Sequence, residues 1–140
     1  MKFDFELMVQ SAGDAIIAVD SGGAIIVWNP AAERIFGFSA DEALGHKLDL
    51  IIPERYRVRH WEGYRKAMAA GSTRYASDVL RVPAVHKDGR PLSIAFTVAL
   101  LSSPDGQIEA VAAIVRDETA RWKEEQELRR RLAELARQST

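Results

Sequence analysis

Cysteine is missing from this sequence of 140 residues. Its absence excludes disulfide bonds, thiolate metal sites, cysteine nucleophiles and any photochemistry that bonds a flavin to a cysteine. The three histidines are scattered along the chain, and their spacing matches no zinc site. His46 follows a glycine in a loop and His86 stands beside a turn, so we expect both to be exposed to solvent. The sequence therefore predicts no metal centre.

Long apolar runs and an excess of one charge are also missing. No run approaches the roughly 20 residues of a membrane span, and Asp4 and Glu6 stand where a signal peptide would carry basic residues. The 19 basic and 20 acidic residues are interspersed, so no basic stripe is available for nucleic acid. We expect one cytoplasmic domain that binds neither membranes nor nucleic acids.

Catalytic motifs are absent as well. No serine stands in a Gly-x-Ser-x-Gly setting, and no glycine-rich phosphate loop follows an apolar run. Several carboxylates lie where helices are expected to begin, and helix capping accounts for them there: Asp41, Glu42, Asp49 and Glu54. The sequence therefore predicts that this chain is not an enzyme.

Alternating apolar runs, separated by turn residues, are the strongest positive signal. Residues 15–20 and 24–29 flank Ser21-Gly22-Gly23, which predicts a tight hairpin. Further runs between Arg74 and Asp117 are joined by turns that contain Asp-Gly pairs, and the glycines supply the positive φ that such turns need. These runs predict a hairpin and a three-strand meander within one antiparallel sheet.

Capping residues mark two helices in the middle of the chain. Asn29 at the N-cap and Pro30 after it begin a helix that Gly37 ends. Ser39 and Glu42 have the spacing of a capping box, which predicts one further helical turn. Both signals are local, because each depends on residues within one or two turns of the chain.

Three further segments complete the pattern. Residues 53–70 predict a helix that ends at Gly71, and residues 3–12 predict a short helix or a partly ordered leader without a strong cap. Residues 120–138 predict a helix whose first turn Asp117 caps or anchors. A stripe with the four–three spacing of a coiled coil predicts a homodimer contact on this helix, formed by Leu128, Leu132 and Leu135. The stripe is shorter than two heptads, so folding back on the sheet or fraying stays an alternative.

Four phrases stand out in order along the chain: residues 27–37 (VWNPAAERIFG), 44–45 followed by 50–53 (LG and LIIP), 86–89 (HKDG) and 116–119 (RDET). In this order and at this spacing they resemble the PAS domain family over nearly the whole chain. The resemblance implies an α+β PAS fold, with a five-stranded antiparallel sheet, short helices on one face and a C-terminal amphipathic signalling helix.

The resemblance also divides the chain and implies a function. It implies an N-terminal leader or short helix at residues 1–13, a sensory core at 14–117 and a signalling or coiled-coil linker helix at 118–140. PAS domains usually sense a small molecule, bind a cofactor or dimerise, and they pass the result to an output domain. We therefore expect a small-molecule ligand between sheet and helices, a signal relay through Asp117 and Thr119, and a histidine kinase or another signalling domain as output partner.

Several residues are expected to line the pocket that the resemblance implies: Tyr64, Leu80, Phe96, Val98 and Ile114. The alternative is a ligand-free dimerisation or docking module whose own side chains fill the cavity. The cofactor is unknown from sequence. Trp28, Trp61 and Phe96 suit either a planar cofactor such as a flavin or an ordinary hydrophobic core.

His60 is the sharpest chemical candidate. The phrase from Pro53 to His60, with Gly71 eleven residues further on, resembles haem PAS domains of the FixL type. This resemblance implies a haem-based gas or redox sensor with His60 as the iron ligand. The sequence departs from that pattern, because Leu80 holds the position of the distal arginine, with Arg81 one residue off, and no methionine stands where a second axial ligand is expected. Packing of His60 against the edge of the core remains the alternative.

Overall fold

The computed structural model describes residues 1–139, which form a five-stranded antiparallel sheet in the order β2-β1-β5-β4-β3. The predicted hairpin and meander are confirmed, and they join in one sheet because β1 pairs with β5 along its whole length. The strands are β1 (Ala15–Asp20), β2 (Ile25–Trp28), β3 (Leu80–Val85), β4 (Pro91–Ser102) and β5 (Ile108–Asp117).

Residues 1–139 also form five α-helices: α1 (Phe5–Ser11), α2 (Pro30–Phe36), α3 (Ala40–Ala43), α4 (Arg57–Ala70) and α5 (Thr119–Gln138). Three short 3₁₀ turns accompany them, at Leu48–Ile51, Glu54–Tyr56 and Arg74–Ala76. The expected start of the fourth helix is corrected, since the segment after Pro53 begins as a 3₁₀ turn. Among residues 1–139, no helix combines the length and apolarity needed to cross a membrane.

Local capping chemistry sets the helix ends. Ser39 and Glu42 form the predicted capping box, and Gly37 and Gly71 end α2 and α4 in the left-handed conformation. The leader does have a cap that the sequence reading missed, because Asp4 Oδ1 accepts from the Leu7 amide over 2.9 Å. The leader is therefore a capped helix.

The hydrophobic core lies on one face of the sheet, which we call the inner face. Successive residues of a strand point to opposite faces, so alternate residues of each strand enter the core. The helices α2 and α3 and the first 3₁₀ turn cover this face. The core cluster consists of Ala15, Ile17, Val19, Ile25, Trp28, Ala32, Phe36, Ala43, Ile51, Ala84, Leu92, Ile94 and Val115.

The turn after β3 packs on the end of α2. The Lys87 amide donates to the Phe36 carbonyl over 2.9 Å, and the His86 ring occupies the space that a Cβ on Gly37 would need. Only 14% of the His86 side chain is exposed, which corrects the expectation that it is solvated. The error has a physical reason, because sequence gives no sign that this turn meets α2.

Asn29 is the buried polar residue of the core, with an exposure of 0%. Its Oδ1 accepts from the amides of Ile16, at 2.9 Å, and of Ala32, at 3.1 Å. Its Nδ2 donates to the carbonyls of Val9, at 2.9 Å, and of Asp14, at 3.1 Å. One side chain therefore caps α2 and also ties α1 and β1 to it.

Replacement of this amide is expected to be costly. The variant Asn29→Ala leaves buried amides and carbonyls without partners, so we expect the free energy of unfolding to fall by about 3 kcal/mol. Urea denaturation followed by circular dichroism measures the change. Ser39→Ala removes an exposed cap of similar local geometry and is expected to cost about 1 kcal/mol. Equal losses in the two variants would show that the bonds beyond the cap contribute nothing.

Candidate functional site

Burial of the inner face is uneven. Near the turn between β3 and β4, Ala84, Leu92 and Ile94 are at most 6% exposed. Toward the opposite end of the sheet, the residues that face the same side are only half-buried. We call this set the half-buried patch, and it comprises Leu80, Phe96, Val98, Leu100, Val111 and Ala113.

The patch is continuous across three strands. Leu80 of β3 lies opposite Phe96 of β4, and Val98 lies opposite Ala113 of β5. Every member is apolar, and the core covers the patch only in part. It is therefore an apolar wall at the edge of the core.

Helix α4 is fixed beside this patch by two aromatic side chains. The Tyr64 hydroxyl donates to the carbonyl of Asp20, the last residue of β1. Trp61 Nε1 donates to Asp49 Oδ1 over 2.7 Å, and a Cβ on Gly23 would lie 2.9 Å from the Trp61 ring. Helix α4 nevertheless buries none of its residues fully. Contacts at the end of β1 therefore hold it, without a packed interface along its length.

His60 lies on α4 between these anchors and the start of the helix. Its ring meets Trp61 edge-on, with centroids 4.5 Å apart, and stacks with Tyr64 at 6.5 Å. Its Nδ1 atom is buried and makes no hydrogen bond within residues 1–139. Burial lowers the pKa of His60, and this effect outweighs the opposing effect of the Asp49 carboxylate. The imidazole is therefore neutral at neutral pH, which is the form that binds a metal ion in a cofactor.

The other histidines do not join this site. His46 is exposed in its loop, and His86 packs against Gly37 at the far side of α2. In the part of the chain that the structure describes, no three His, Asp or Glu side chains come together as metal ligands. His60 is therefore the histidine that this site offers to a cofactor.

The structure brings together four of the five residues predicted to line a pocket. Leu80, Phe96 and Val98 belong to the patch, and Tyr64 lies at its edge on α4. Ile114 does not, because it lies on the outer face of β5 and is 52% exposed. This corrects the expectation for Ile114, whose neighbours Ala113 and Val115 are the residues that face the core.

Three patch residues were missed from sequence: Leu100, Val111 and Ala113. The period of two along each strand was available to find them, since each stands two positions from a patch residue. Trp28, a candidate for a planar cofactor, is 4% exposed and belongs to the core. For Trp28 the structure therefore agrees with the alternative of an ordinary core aromatic.

Two open clefts lie at opposite ends of α4. The cleft at its C-terminal end has a volume of about 430 Å³ and is lined by Met68, Ala69, Ala70, Gly71, Gly106, Gln107 and Ile108. The cleft at its N-terminal end has a volume of about 790 Å³ and is lined by Pro53, Glu54, Arg55, Arg57, Pro83, Ala84, Val85, Gly89 and Pro91. Neither His60 nor Tyr64 lines either cleft.

A hydrogen-bonded junction connects the sheet to α5. Both the amide and the hydroxyl of Thr119 donate to Asp117 Oδ1, over 2.9 and 2.5 Å. The Ser93 amide donates to Thr119 Oγ1 over 2.9 Å, and the Glu118 amide donates to the Ser93 carbonyl over 2.8 Å. Arg81 of β3 donates to Glu118 over 3.2 Å. Asp117 therefore anchors the first turn of α5, and β3 and β4 both contact this junction.

Beyond this junction α5 extends away from the core. Its leucines are between 51% and 66% exposed, so the alternative in which this stripe folds back on the sheet is wrong. Charged residues beside the stripe pair within the helix, and hydrogen bonding from Arg130, helped by Arg131, lowers the pKa of Glu127 to about 2. The apolar stripe therefore has no partner within the described chain: Leu128, Leu132 and Leu135.

Comparisons with known proteins agree with this architecture. The chain is 32% identical over 123 residues to the sensor protein FixL of Bradyrhizobium diazoefficiens and 25% identical over 125 residues to the oxygen sensor protein DosP of Escherichia coli. These matches cover 87% and 89% of this chain but only 23% and 15% of the two relatives, so the chain spans less than a quarter of either.

The structural comparison points the same way. A crystal structure of a sensory box histidine kinase/response regulator from Burkholderia thailandensis superposes with a TM-score of 0.68 at 20% identity, covering 95% of this chain and 98% of that one. The family model described as the PAS fold matches residues 4–117. Sheet order, helix arrangement and this match lead to one conclusion: the chain belongs to the PAS family.

Proposed function

We propose that this PAS domain is a cytoplasmic sensory module in which a small ligand or cofactor binds between α4 and the half-buried patch. The observation that carries the proposal is the contrast in burial along the inner face, which is complete at one end and partial at the patch. Each square ångström of apolar surface that these six side chains leave in contact with water loses about 25 cal/mol of stabilising free energy. A ligand that covers them recovers this free energy.

The alternative module, with a cavity filled by its own side chains, explains less. A self-filled cavity requires α4 to pack directly on the patch, but α4 has no fully buried residue. Its anchors also lie at the end of β1 and at the first 3₁₀ turn, and no residue of the patch is fully buried. Ligand pockets are usually apolar with a few polar groups, and the patch with His60 and Tyr64 has this composition.

The proposed output route runs through Asp117 and Thr119. Ser93 of β4 bonds to both Thr119 and Glu118, and Phe96 of the patch lies three residues further along the same strand. Suppose that β4 adopts two positions, each with its own orientation of α5. A ligand that binds one of these positions more tightly would shift the population toward that orientation of α5. The receiver would be a histidine kinase or another signalling domain, because the sensory box histidine kinase/response regulator contains a domain of this fold. The two sensor proteins that match are also several times longer than this chain.

A homodimer through α5 is the second part of the proposal. The leucine stripe is exposed and follows coiled-coil spacing, while the flanking charges are already paired within the helix. Two copies that join along this stripe would bury it. The apolar leader around Phe5 and Met8, which are 69% and 51% exposed, offers further surface for the same association.

Haem is the second candidate for the ligand, and His60 favours it. A neutral imidazole beside Trp61 and Tyr64, with a buried nitrogen that bonds to no residue in 1–139, fits a haem ligand, and haem would supply a site for gas binding or electron transfer. The residues of this chain would hold it by His60 on one side and by apolar contact with the patch. Leu80 lies in the patch, so this wall would offer no arginine to a bound gas.

Filling the patch tests the ligand site. Val98→Phe places a larger side chain on the patch, so we expect the affinity for the apolar dye Nile red to fall by about tenfold. Ala99→Phe makes a matched addition one residue away on the outer face and is expected to leave the affinity within about twofold. Fluorescence titration measures both. An equal response of the two variants would place the dye elsewhere.

An absorption spectrum after incubation with haemin tests the haem candidate. We expect a sharp Soret band that His60→Ala abolishes and that His46→Ala retains, because His46 is exposed in a remote loop. If neither the unmodified protein nor the variants take up haemin, haem is removed from the proposal. Binding of Nile red then decides whether another small molecule is the ligand.

Sedimentation equilibrium tests the homodimer. We expect the chain of 15.6 kDa to sediment as a dimer, and Leu132→Asp to convert it to a monomer by burying a charge in the seam. Ala133→Asp adds the same charge beside the stripe and is expected to preserve the dimer. A monomer for the unmodified chain, or a dimer that survives Leu132→Asp, would contradict the assignment of this contact.

A further inference from the structure

Helix α4 is held to the sheet at one end only. The side chains that hydrogen-bond it to other segments, Arg57, Trp61 and Tyr64, all lie in its first eight residues. Met68 stands one turn beyond Tyr64, and there the helix faces an open cleft of about 430 Å³. The C-terminal half of α4 is therefore separated from the turn between β4 and β5 by space that no side chain fills.

This cleft leads to the half-buried patch. Ile108 lines the cleft and pairs with Ser102 of β4, two positions after the patch residue Leu100. The register shifts between Leu101 and Ser102, and the extra residue on β5 brings Ile108 opposite Ser102, the inner-face position after Leu100. Ile108 therefore lies on the inner face, where it lines the cleft beside α4. It is half-buried, as are the neighbouring patch residues Leu100 and Val111. The floor of the cleft is therefore continuous with the patch.

The larger cleft at the other end of α4 offers no such path. Its wall includes Ala84, which is 2% exposed, and behind it stand Leu92 and Ile94, which are 6% and 5% exposed. Ile51 of the adjoining 3₁₀ turn is 4% exposed and belongs to the same layer. Close-packed side chains of the core therefore separate this cleft from the patch.

The chemistry of the smaller cleft limits what can pass and remain there. Gln107 supplies the polar side chain among its lining residues, and none of those residues carries a charge. Gly71 and Gly106 add main-chain groups without side chains that would cover them. The patch beyond is entirely apolar. The site therefore combines an apolar interior with an uncharged, hydrogen-bonding mouth.

Resting on the proposed function, we infer that the ligand reaches the patch through the cleft between the C-terminal half of α4 and the β4–β5 turn. We further infer its class: a neutral molecule with an apolar body, whose hydrogen-bonding end remains at the mouth beside Gln107. A bound molecule of this shape separates the free end of α4 from the sheet, while Trp61 and Tyr64 stay in place.

Cross-linking across the mouth tests the route. The chain has no cysteine, so Ala69→Cys with Gln107→Cys provides two unique thiols on opposite walls of the cleft. Stopped-flow fluorescence with Nile red then compares protein bridged by a short bismaleimide with the same protein capped by N-ethylmaleimide. In the bridged protein we expect the association and dissociation rates of the dye both to be about tenfold lower than in the capped protein. The dissociation constant should change by no more than about twofold, because a narrowed route slows entry and exit equally.

A matched control bridges the other cleft through Arg55→Cys and Pro91→Cys, and we expect its rates to be unchanged. If the Nile red rates slow in this control and not in the Ala69→Cys/Gln107→Cys protein, the route is wrong. The route is also wrong if the dye binds but the rates of both bridged proteins are unchanged. In both of these cases the proposed function survives. If Nile red does not bind to the unmodified chain, the proposed function itself fails.

The ligand class has a separate readout. Nile red is neutral, whereas the dye 8-anilinonaphthalene-1-sulfonate has a similar apolar body and a negative charge. We expect the neutral dye to bind about tenfold more tightly, since the mouth offers no cation to a sulfonate. Tighter binding of the anionic dye, lost on Val98→Phe, would overturn the class while leaving the site in place.

Discussion

The fold depends on one buried amide. Asn29 uses both hydrogens of its Nδ2 and both acceptor positions of its Oδ1, so a polar group in the middle of the core carries no unsatisfied bond. Three of its four partners belong to α1, β1 and α2, and the fourth, Asp14, directly precedes β1. Asn29 therefore positions α2, which covers part of the inner face, relative to β1, and the core forms around that alignment.

The sequence specified most of the local structure and little of the long-range contacts. The cap at Asn29, the left-handed Gly37 and the Ser39 capping box were predictable because each depends on residues within a few positions. The bonds from Asn29 to Val9 and Asp14 were not, since they join residues 20 and 15 positions apart. His86 was misjudged for the same reason, because its burial comes from a helix about 50 residues earlier.

The candidate site divides in a similar way. Resemblance to known PAS domains identified Leu80, Phe96 and Val98, and the structure places them on one apolar wall. Ile114 was assigned to the wrong face because a shift of one residue along a strand exchanges the two faces of the sheet. The anchors of α4 involve pairs such as Tyr64 and Asp20, 44 residues apart, which no periodicity in one sequence relates.

The edge strands of the sheet are poorly suited to pairing with another molecule. Strand β3 is the last in the order, and Pro83 stands in its middle, opposite Ser93. A proline has no amide hydrogen, so this margin offers an incomplete template to another polypeptide in extended conformation. The opposite margin, β2, is only four residues long. Strand pairing between molecules is thus disfavoured at both edges of the sheet. This protects a domain rich in alternating apolar residues from amyloid-like aggregation.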